Sequence, residues 1–211
     1  MFSDQTWLAR VIWAALLGVA LWALWQWELE LSFVALATLA LSLAPVFVAR
    51  WADVIVPPSF IAALAIFVGG TLFLGEVFDF YERLWWWDVA MHASSAVGFG
   101  LIGFVLVFMM FQGDRFAAPP VAVAFFAFCF AVFIGTMWEI FEFGMDQVFG
   151  FNMQKSGLVD TMGDLIVNTM GALIGAAAGF GYLKGQARGG LAQVIDEFVQ
   201  RNPRFFQRWK R

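Results

Sequence analysis

Apolar residues along this chain come in six long blocks separated by short polar connectors. The blocks fall near Leu8–Trp25, Leu31–Val48, Phe60–Leu74, Val89–Phe111, Val121–Phe141 and Leu165–Tyr182. Crossing the roughly 30 Å of bilayer hydrocarbon takes roughly 20 residues of helix, so the pattern predicts an all-α, polytopic bundle of six transmembrane spans. The third block is short and can extend through Phe78. Turn chemistry marks the connectors at Pro57-Pro58, Gln112-Gly113-Asp114 and Pro119-Pro120. Pro45 lies inside the second block, where a membrane helix tolerates the kink it brings.

Basic residues orient the bundle. With six spans, the two termini share a side with the second–third and fourth–fifth connectors. That side holds Arg10, Arg50, Arg115, Lys184, Arg188, Arg201, Arg204, Arg208, Lys210 and Arg211, ten of the twelve basic residues. Only Arg83 and Lys155 fall on the other. The positive-inside rule therefore predicts cytoplasmic N- and C-termini. The organisation expected is a six-helix membrane domain over residues 1–183, its polar site within 76–170, followed by a cytoplasmic tail over 184–211. The tail carries seven basic and two acidic residues interleaved with Phe198, Phe205, Phe206 and Trp209. That makeup suits a segment lying on an anionic leaflet, and nucleic acid is not an expected partner.

Composition agrees with a lipid environment. Hydrophobic residues make up 62% of the chain and charged residues 13%, with 26 Phe and 11 Trp, and the mean hydropathy is +0.80. A soluble domain is about a quarter charged, so this chain has far more apolar surface than one soluble core takes in. The N-terminus lacks the basic start and small-residue cleavage site of a secretory signal. One cysteine, Cys129, excludes an intrachain disulfide and a thiolate metal cage, and reads as a small core residue. Trp85-Trp86-Trp87 reads as an interfacial aromatic belt. Gly171, Gly175 and Gly179 recur every four residues and form a smooth face for close helix packing.

The first three spans have almost no interior polar groups, whereas the last three are rich in them. Acidic residues sort to the outer side. Glu28, Glu30 and Glu76 read as solvated rim residues, but the others have a pattern that solvation does not require. Asp88 and His92 are four apart at the outer start of the fourth span and share a helix face. Glu139, Glu142 and Asp146 line one face at the outer end of the fifth. Asp164 and Asn168 repeat the four-residue spacing at the outer start of the sixth, with Asp160 one turn earlier if the helix begins there. Antiparallel order places all three groups at one depth, with His92, Glu139 and Asn168 inside the apolar slab. An ionisable group there costs about 2.5–3.5 kcal/mol on insertion scales, so it faces a cavity or a partner. Clustered carboxylates persist if something positive joins them or if some stay protonated. With so few basic residues on that face, a bound cation is the economical solution. Asp88, His92, Glu139, Glu142, Asp160 and Asp164 are the expected ligands. Oxygen donors with at most one imidazole favour Mg²⁺, Mn²⁺ or Ca²⁺ over Zn²⁺ or iron.

Several of these residues form a pattern known elsewhere. Phe80-Tyr81-Glu82-Arg83, Trp87-Asp88 with His92, Phe128-Cys129-Phe130, Trp138-Glu139-Ile140-Phe141-Glu142, and Gly157-Leu158-Val159-Asp160-Thr161 with Asp164, Asn168 and Gly171 resemble the YjdF-type family of bacterial inner-membrane proteins. The resemblance covers roughly Phe60–Tyr182. More distantly, the arrangement is similar to VanZ-like proteins, whose final Asp-x3-Asn-x2-Gly helix Asp164, Asn168 and Gly171 fit. Those proteins follow their membrane Glu with Gln in the next turn, where this chain has Glu142, so no glycopeptide-resistance role is carried over. The resemblance implies a multi-pass inner-membrane protein with a shared polar site and supplies no activity.

Three functions are compatible with these features. The leading one is a divalent-metal-dependent enzyme acting on a lipid or lipid-linked substrate at the periplasmic face, with Glu82 or Asp146 as general base and Asn168 as an outer-shell or substrate contact. The second is a non-catalytic scaffold or subunit that packs its aromatic surfaces against itself or another membrane protein. The third is a cation- or proton-coupled transporter, against which stand the apolar inner halves of the spans and the missing broken helices.

Overall fold

Every regular element in the computed structural model is helical; it describes residues 4–111, 118–186 and 189–206. The expected turn at Gln112-Gly113-Asp114, and Arg115, Arg188, Arg208, Trp209, Lys210 and Arg211, lie outside these residues. Among the described residues, six helices are long and apolar enough to cross a membrane. The chain divides into two compact units, one of residues 1–87 with 200–202 and one of residues 88–199 with 203–211. The division falls where the apolar first half of the sequence gives way to the polar-rich second.

The first unit holds α1 (Trp7–Trp25), α2 (Leu29–Trp51), α3 (Pro58–Val68) and the short α4 (Phe80–Arg83). Thr6 starts α1 by accepting the Ala9 amide on its hydroxyl at 3.2 Å, satisfying one of the open donors of the first turn. Small residues bring α1 and α2 together: Ala20, Ala23 and Ala35 are fully buried, and the Ser32 hydroxyl donates to the Ala20 carbonyl. Ala9, Trp13, Val46, Ile61 and Ala62 form a second contact area joining α1, α2 and α3. Beyond Val68 the third span continues as a π-helix over Gly69–Val77, giving a 20-residue span over Pro58–Val77. The short apolar block is therefore extended in the expected direction. In the α2–α3 connector, Asn202 accepts the Ile55 amide at 2.8 Å and donates to the Ile55 carbonyl at 2.7 Å.

The second unit holds α5 (Trp87–Phe111, its first residue belonging to the first unit), α6 (Pro120–Phe149), α7 (Leu158–Leu183) and most of α8 (Gly190–Arg201). Each of the three long helices buries a four-residue stripe. On α5 the buried stripe reads His92, Ala96, Gly100, Phe104 and Phe108. On α6 it reads Val123, Ala127, Ala131 and Glu139, with Gly135 in register between the last two. On α7 it reads Asp164, Asn168, Ala172 and Ala176. The polar ends of the three stripes meet at one end of the bundle, because α6 runs opposite to its neighbours. In the middle, small residues permit backbone contact. A Cβ on Gly171 would stand 2.8 Å from the Ala93 carbonyl oxygen, and one on Gly175 would stand 2.7 Å from that of Val97. The glycine face expected on α7 is thus seated on α5. At the far end, Phe104, Phe108, Val123, Ile195, Val199 and Phe206 form an apolar core. The apolar stripe of α8 enters this core, while Arg201 and Arg204 stay exposed. Cys129 departs from expectation: it is exposed, because it sits two residues off the buried Ala127–Ala131 stripe, on the opposite side of α6.

Candidate functional site

The site lies where α5 and α7 begin and α6 ends. α6 and α7 are longer than their apolar blocks: α6 runs eight residues beyond Phe141 to Phe149, and α7 starts seven residues before Leu165, at Leu158. These added turns keep Glu142 and Asp146 helical and put Asp160 in the first turn of α7. At 30 residues α6 is about 45 Å long, more than the roughly 30 Å of hydrocarbon, so its polar end has length to reach an interface.

His92 is the centre of the group. It is 8% exposed, and its ring stands between carboxylates on both sides. Nε2 lies 3.5 Å from Asp88 Oδ1 and 3.9 Å from Asp164 Oδ2, and Nδ1 lies 3.7 Å from Glu139 Oε1. All three separations exceed ordinary hydrogen bonds. The two on the Nε2 side suit donors that share an ion: two ligands each about 2.1 Å from one cation stand about 3.0 Å apart at a right angle and about 4.2 Å apart when opposite. One ligand atom each from Asp88, His92 and Asp164 lies within 4.8 Å of the other two, so this trio can hold a metal. Glu139 falls outside the trio, on the Nδ1 side of the imidazole.

Most of these buried polar atoms lack protein partners. Among the described residues, both Glu139 oxygens, Asp164 Oδ2 and both ends of the Asn168 amide have no hydrogen bond. The Thr161 side chain stands close enough to Glu139 to interact with its carboxyl. Asn168 is 2% exposed and lies against Gly135, where a Cβ would stand 2.8 Å from its Nδ2. Gly135 was not singled out in the sequence, although its place one turn before Glu139 on the buried stripe marks it.

The remaining expected residues have other surroundings. Glu142 is buried, and its Oε1 accepts the Trp138 indole N–H at 2.8 Å, a four-residue pair on α6. Asp146 accepts the backbone amides of Met153 at 2.8 Å and Gln154 at 2.9 Å, so both its oxygens fasten the α6–α7 connector. That bonding leaves it poorly suited to the general-base role the sequence suggested. Asp160 is half-buried and interacts electrostatically with Asp88, His92 and the Lys155 side chain. Glu82 is exposed on α4 of the first unit. Glu28, Glu30 and Glu76 are exposed, as rim residues should be.

Comparison with known proteins adds relatives and no activity. An uncharacterized protein of Thermotoga maritima is 35% identical over 98 residues, an alignment covering 44% of this chain and 47% of that protein. The chain thus matches about half the length of this relative. No solved structure matches it. A family model described as "Predicted membrane protein (DUF2238)" matches residues 8–185. With nearly the whole helical region matched, the chain belongs to this family of multi-pass membrane proteins.

Proposed function

We propose that this protein is a divalent-cation-dependent enzyme of the bacterial inner membrane, acting at its periplasmic face on a lipid or lipid-linked substrate. The observation that carries the reading is the placement of Asp88 and Asp164 around His92 Nε2 at 3.5 and 3.9 Å, with His92 and Asp164 buried and Asp88 half-buried. Two carboxylates with a neutral imidazole balance the charge of one divalent ion, which matters where the dielectric is low. Hard oxygen donors with one nitrogen favour Mg²⁺ or Mn²⁺. Glu139, on the Nδ1 side, favours the tautomer that leaves Nε2 free to ligate.

Three protein ligands leave further coordination positions for water or substrate, the pattern of catalytic rather than structural metal sites. A divalent ion so placed polarises a phosphoryl or carbonyl oxygen, or activates water. The substrate class follows from the surroundings. The ligand-bearing helices α5 and α7 expose apolar side chains such as Val89, Met162 and Ile166, and α6 beside them exposes Trp138, Phe141 and Phe143, so a reactant reaching the group from the bilayer is itself an amphiphile. The distribution of Lys and Arg supports the periplasmic assignment, and the YjdF-type motifs support the inner membrane.

The test is to incubate detergent-purified protein with bacterial lipid extract, with and without Mn²⁺, and follow the lipids by mass spectrometry. The expected result is a lipid conversion that needs the metal and disappears in Asp88→Asn and His92→Ala. Bound metal without any lipid conversion overturns the enzymatic reading, and metal-dependent ion flux in proteoliposomes replaces it with transport.

A further inference from the structure

The turns that α6 and α7 add beyond their apolar blocks are polar on one side only. Away from the bundle, Val148, Phe149, Phe151, Leu158, Val159 and Met162 are all exposed. Val148, Leu158 and Val159, at 73%, 75% and 76%, are more exposed than the mid-span α7 residues Leu173 and Ile174, both at 54%. Their positions are ordered. Val159 and Met162 lead on to Ile166, Met170 and Leu173 in steps of three and four, which is one face of α7. Asp160, Asp164 and Asn168 occupy the other face. On α6, Met137 and Phe141 lead on to Val148 in steps of four and seven. Both helices are long and apolar enough to cross a membrane, and along such spans these faces meet lipid. The hairpin extends that same surface past the apolar blocks.

A connector enters a leaflet only where its backbone polar groups find partners within the protein. Asp146 accepts the Met153 and Gln154 amides on its two carboxylate oxygens. The Gly150 amide donates to the Asp146 carbonyl at 3.0 Å, that of Lys155 to Met153 at 3.1 Å and that of Gly157 to Gln154 at 3.1 Å. The Gln154 side-chain amide donates to the Thr161 hydroxyl. Length sets the depth. The 30 residues of α6 rise about 45 Å, close to the roughly 40–45 Å of a bilayer with its headgroup layers, so the hairpin ends at headgroup level. Lys155 is the one basic residue in 148–162, and it is exposed and interacts with Asp160. A lysine at this level keeps its stem among apolar groups and its ammonium among lipid phosphates.

We infer that the α6–α7 hairpin, residues 148–162, is seated in the headgroup–acyl boundary of the leaflet at that end, with phospholipid as the partner of its exposed apolar face. This inference needs membrane-spanning α6 and α7 and no bound metal, so it stands apart from the proposed function. It sets lipid against the back of the turns whose other side carries Asp160 and Asp164.

Site-directed spin labelling of the full-length protein in vesicles of phosphatidylethanolamine and phosphatidylglycerol tests it. In a Cys129→Ser background, single labels are attached through Phe151→Cys and Val159→Cys, and Leu158→Cys reports on the same face if either fails to fold. Ile174→Cys marks mid-span lipid, and Gln186→Cys, exposed beyond the end of α7, marks water. Collisions with oxygen and with a water-soluble nickel chelate are then compared. Labels at 151 and 159 should meet the chelate at least about threefold less often than the label at 186, and oxygen more often, because an apolar face buried about 5–10 Å into the boundary has left the aqueous phase. Chelate collisions equal to those at 186 overturn the inference. Protection from both reagents also overturns it, because a second copy or a partner protein then covers the face.

Discussion

His92 faces carboxylates through both ring nitrogens, and the two sides ask different things of it. On the Nε2 side, Asp88 and Asp164 would complete the proposed ligand set. On the Nδ1 side, Glu139 is placed to hold the ring. Exchange of a carboxylate that orients a ligating histidine costs about 10–100-fold in metal affinity, whereas loss of a ligand removes the site. Glu139→Gln should therefore weaken Mn²⁺ binding by about that factor in titration calorimetry, and His92→Ala should abolish it. Equal loss in both variants would make Glu139 a ligand. The spacing of Asp88 to His92 and of Asp164 to Asn168 was legible in the sequence because a four-residue step puts both members on one helix face. The roles of Glu142 and Asp146 were not. The Trp138–Glu142 bond follows the same spacing but competes with the reading of Glu139 and Glu142 as a carboxylate pair. The bonds from Asp146 to the Met153 and Gln154 amides depend on how the connector folds back, which no periodicity encodes.

The long helices owe their close approach to small residues in mid-stripe. A side chain at Gly175 meets the Val97 carbonyl and the Gly100 backbone, neither of which can move without separating α5 from α7. Gly175→Val should lower stability by about 1–3 kcal/mol, the usual cost of overpacking, read as a lower unfolding midpoint in detergent. Gly18→Ala is the control, because nothing lies within 4 Å of a Cβ there and alanine favours the helix. An unchanged midpoint for Gly175→Val would contradict the packing described. The α6–α7 connector offers a separate test: Asp146→Ala removes the carboxylate acceptor of two backbone amides. Hydrogen exchange at Met153 and Gln154 should then accelerate by an amount equivalent to about 1–3 kcal/mol of local opening, and unchanged exchange would deny Asp146 this role. Helix ends were the least legible feature at this scale. Hydropathy reports only the part of a helix in hydrocarbon, so the polar turns of α6 through Phe149 and of α7 from Leu158 lay outside the apolar blocks.

Across the whole chain, six spans and an uneven charge distribution make one topological statement. An even number of crossings would put both termini on one side, and the positive-inside rule predicts that this side is cytoplasmic. Reporter fusions at residue 4 and residue 206 should both give cytoplasmic signals. A periplasmic signal from either end would contradict the span count or the orientation. Six helical spans were readable from the sequence because block length against bilayer thickness leaves few alternatives. The polar-rich second half was readable as well, and it coincides with the unit that contains His92, Glu139 and Asp164. The burial of the α8 stripe in that unit was less so. An amphipathic, basic segment suits a leaflet surface and a protein core alike, and the choice depends on the apolar area that Phe104, Phe108 and Val123 offer it.

In the proposed site Asp88, His92 and Asp164 bind one divalent ion through a single imidazole. Pulsed electron paramagnetic resonance of Mn²⁺ added to the purified protein tests it most directly, because a directly bound imidazole nitrogen couples to the metal spin. A tightly held Mn²⁺ with coupling from one imidazole nitrogen is expected, both lost in His92→Ala. Mn²⁺ that remains in bulk solution, or binds without nitrogen coupling, would contradict it.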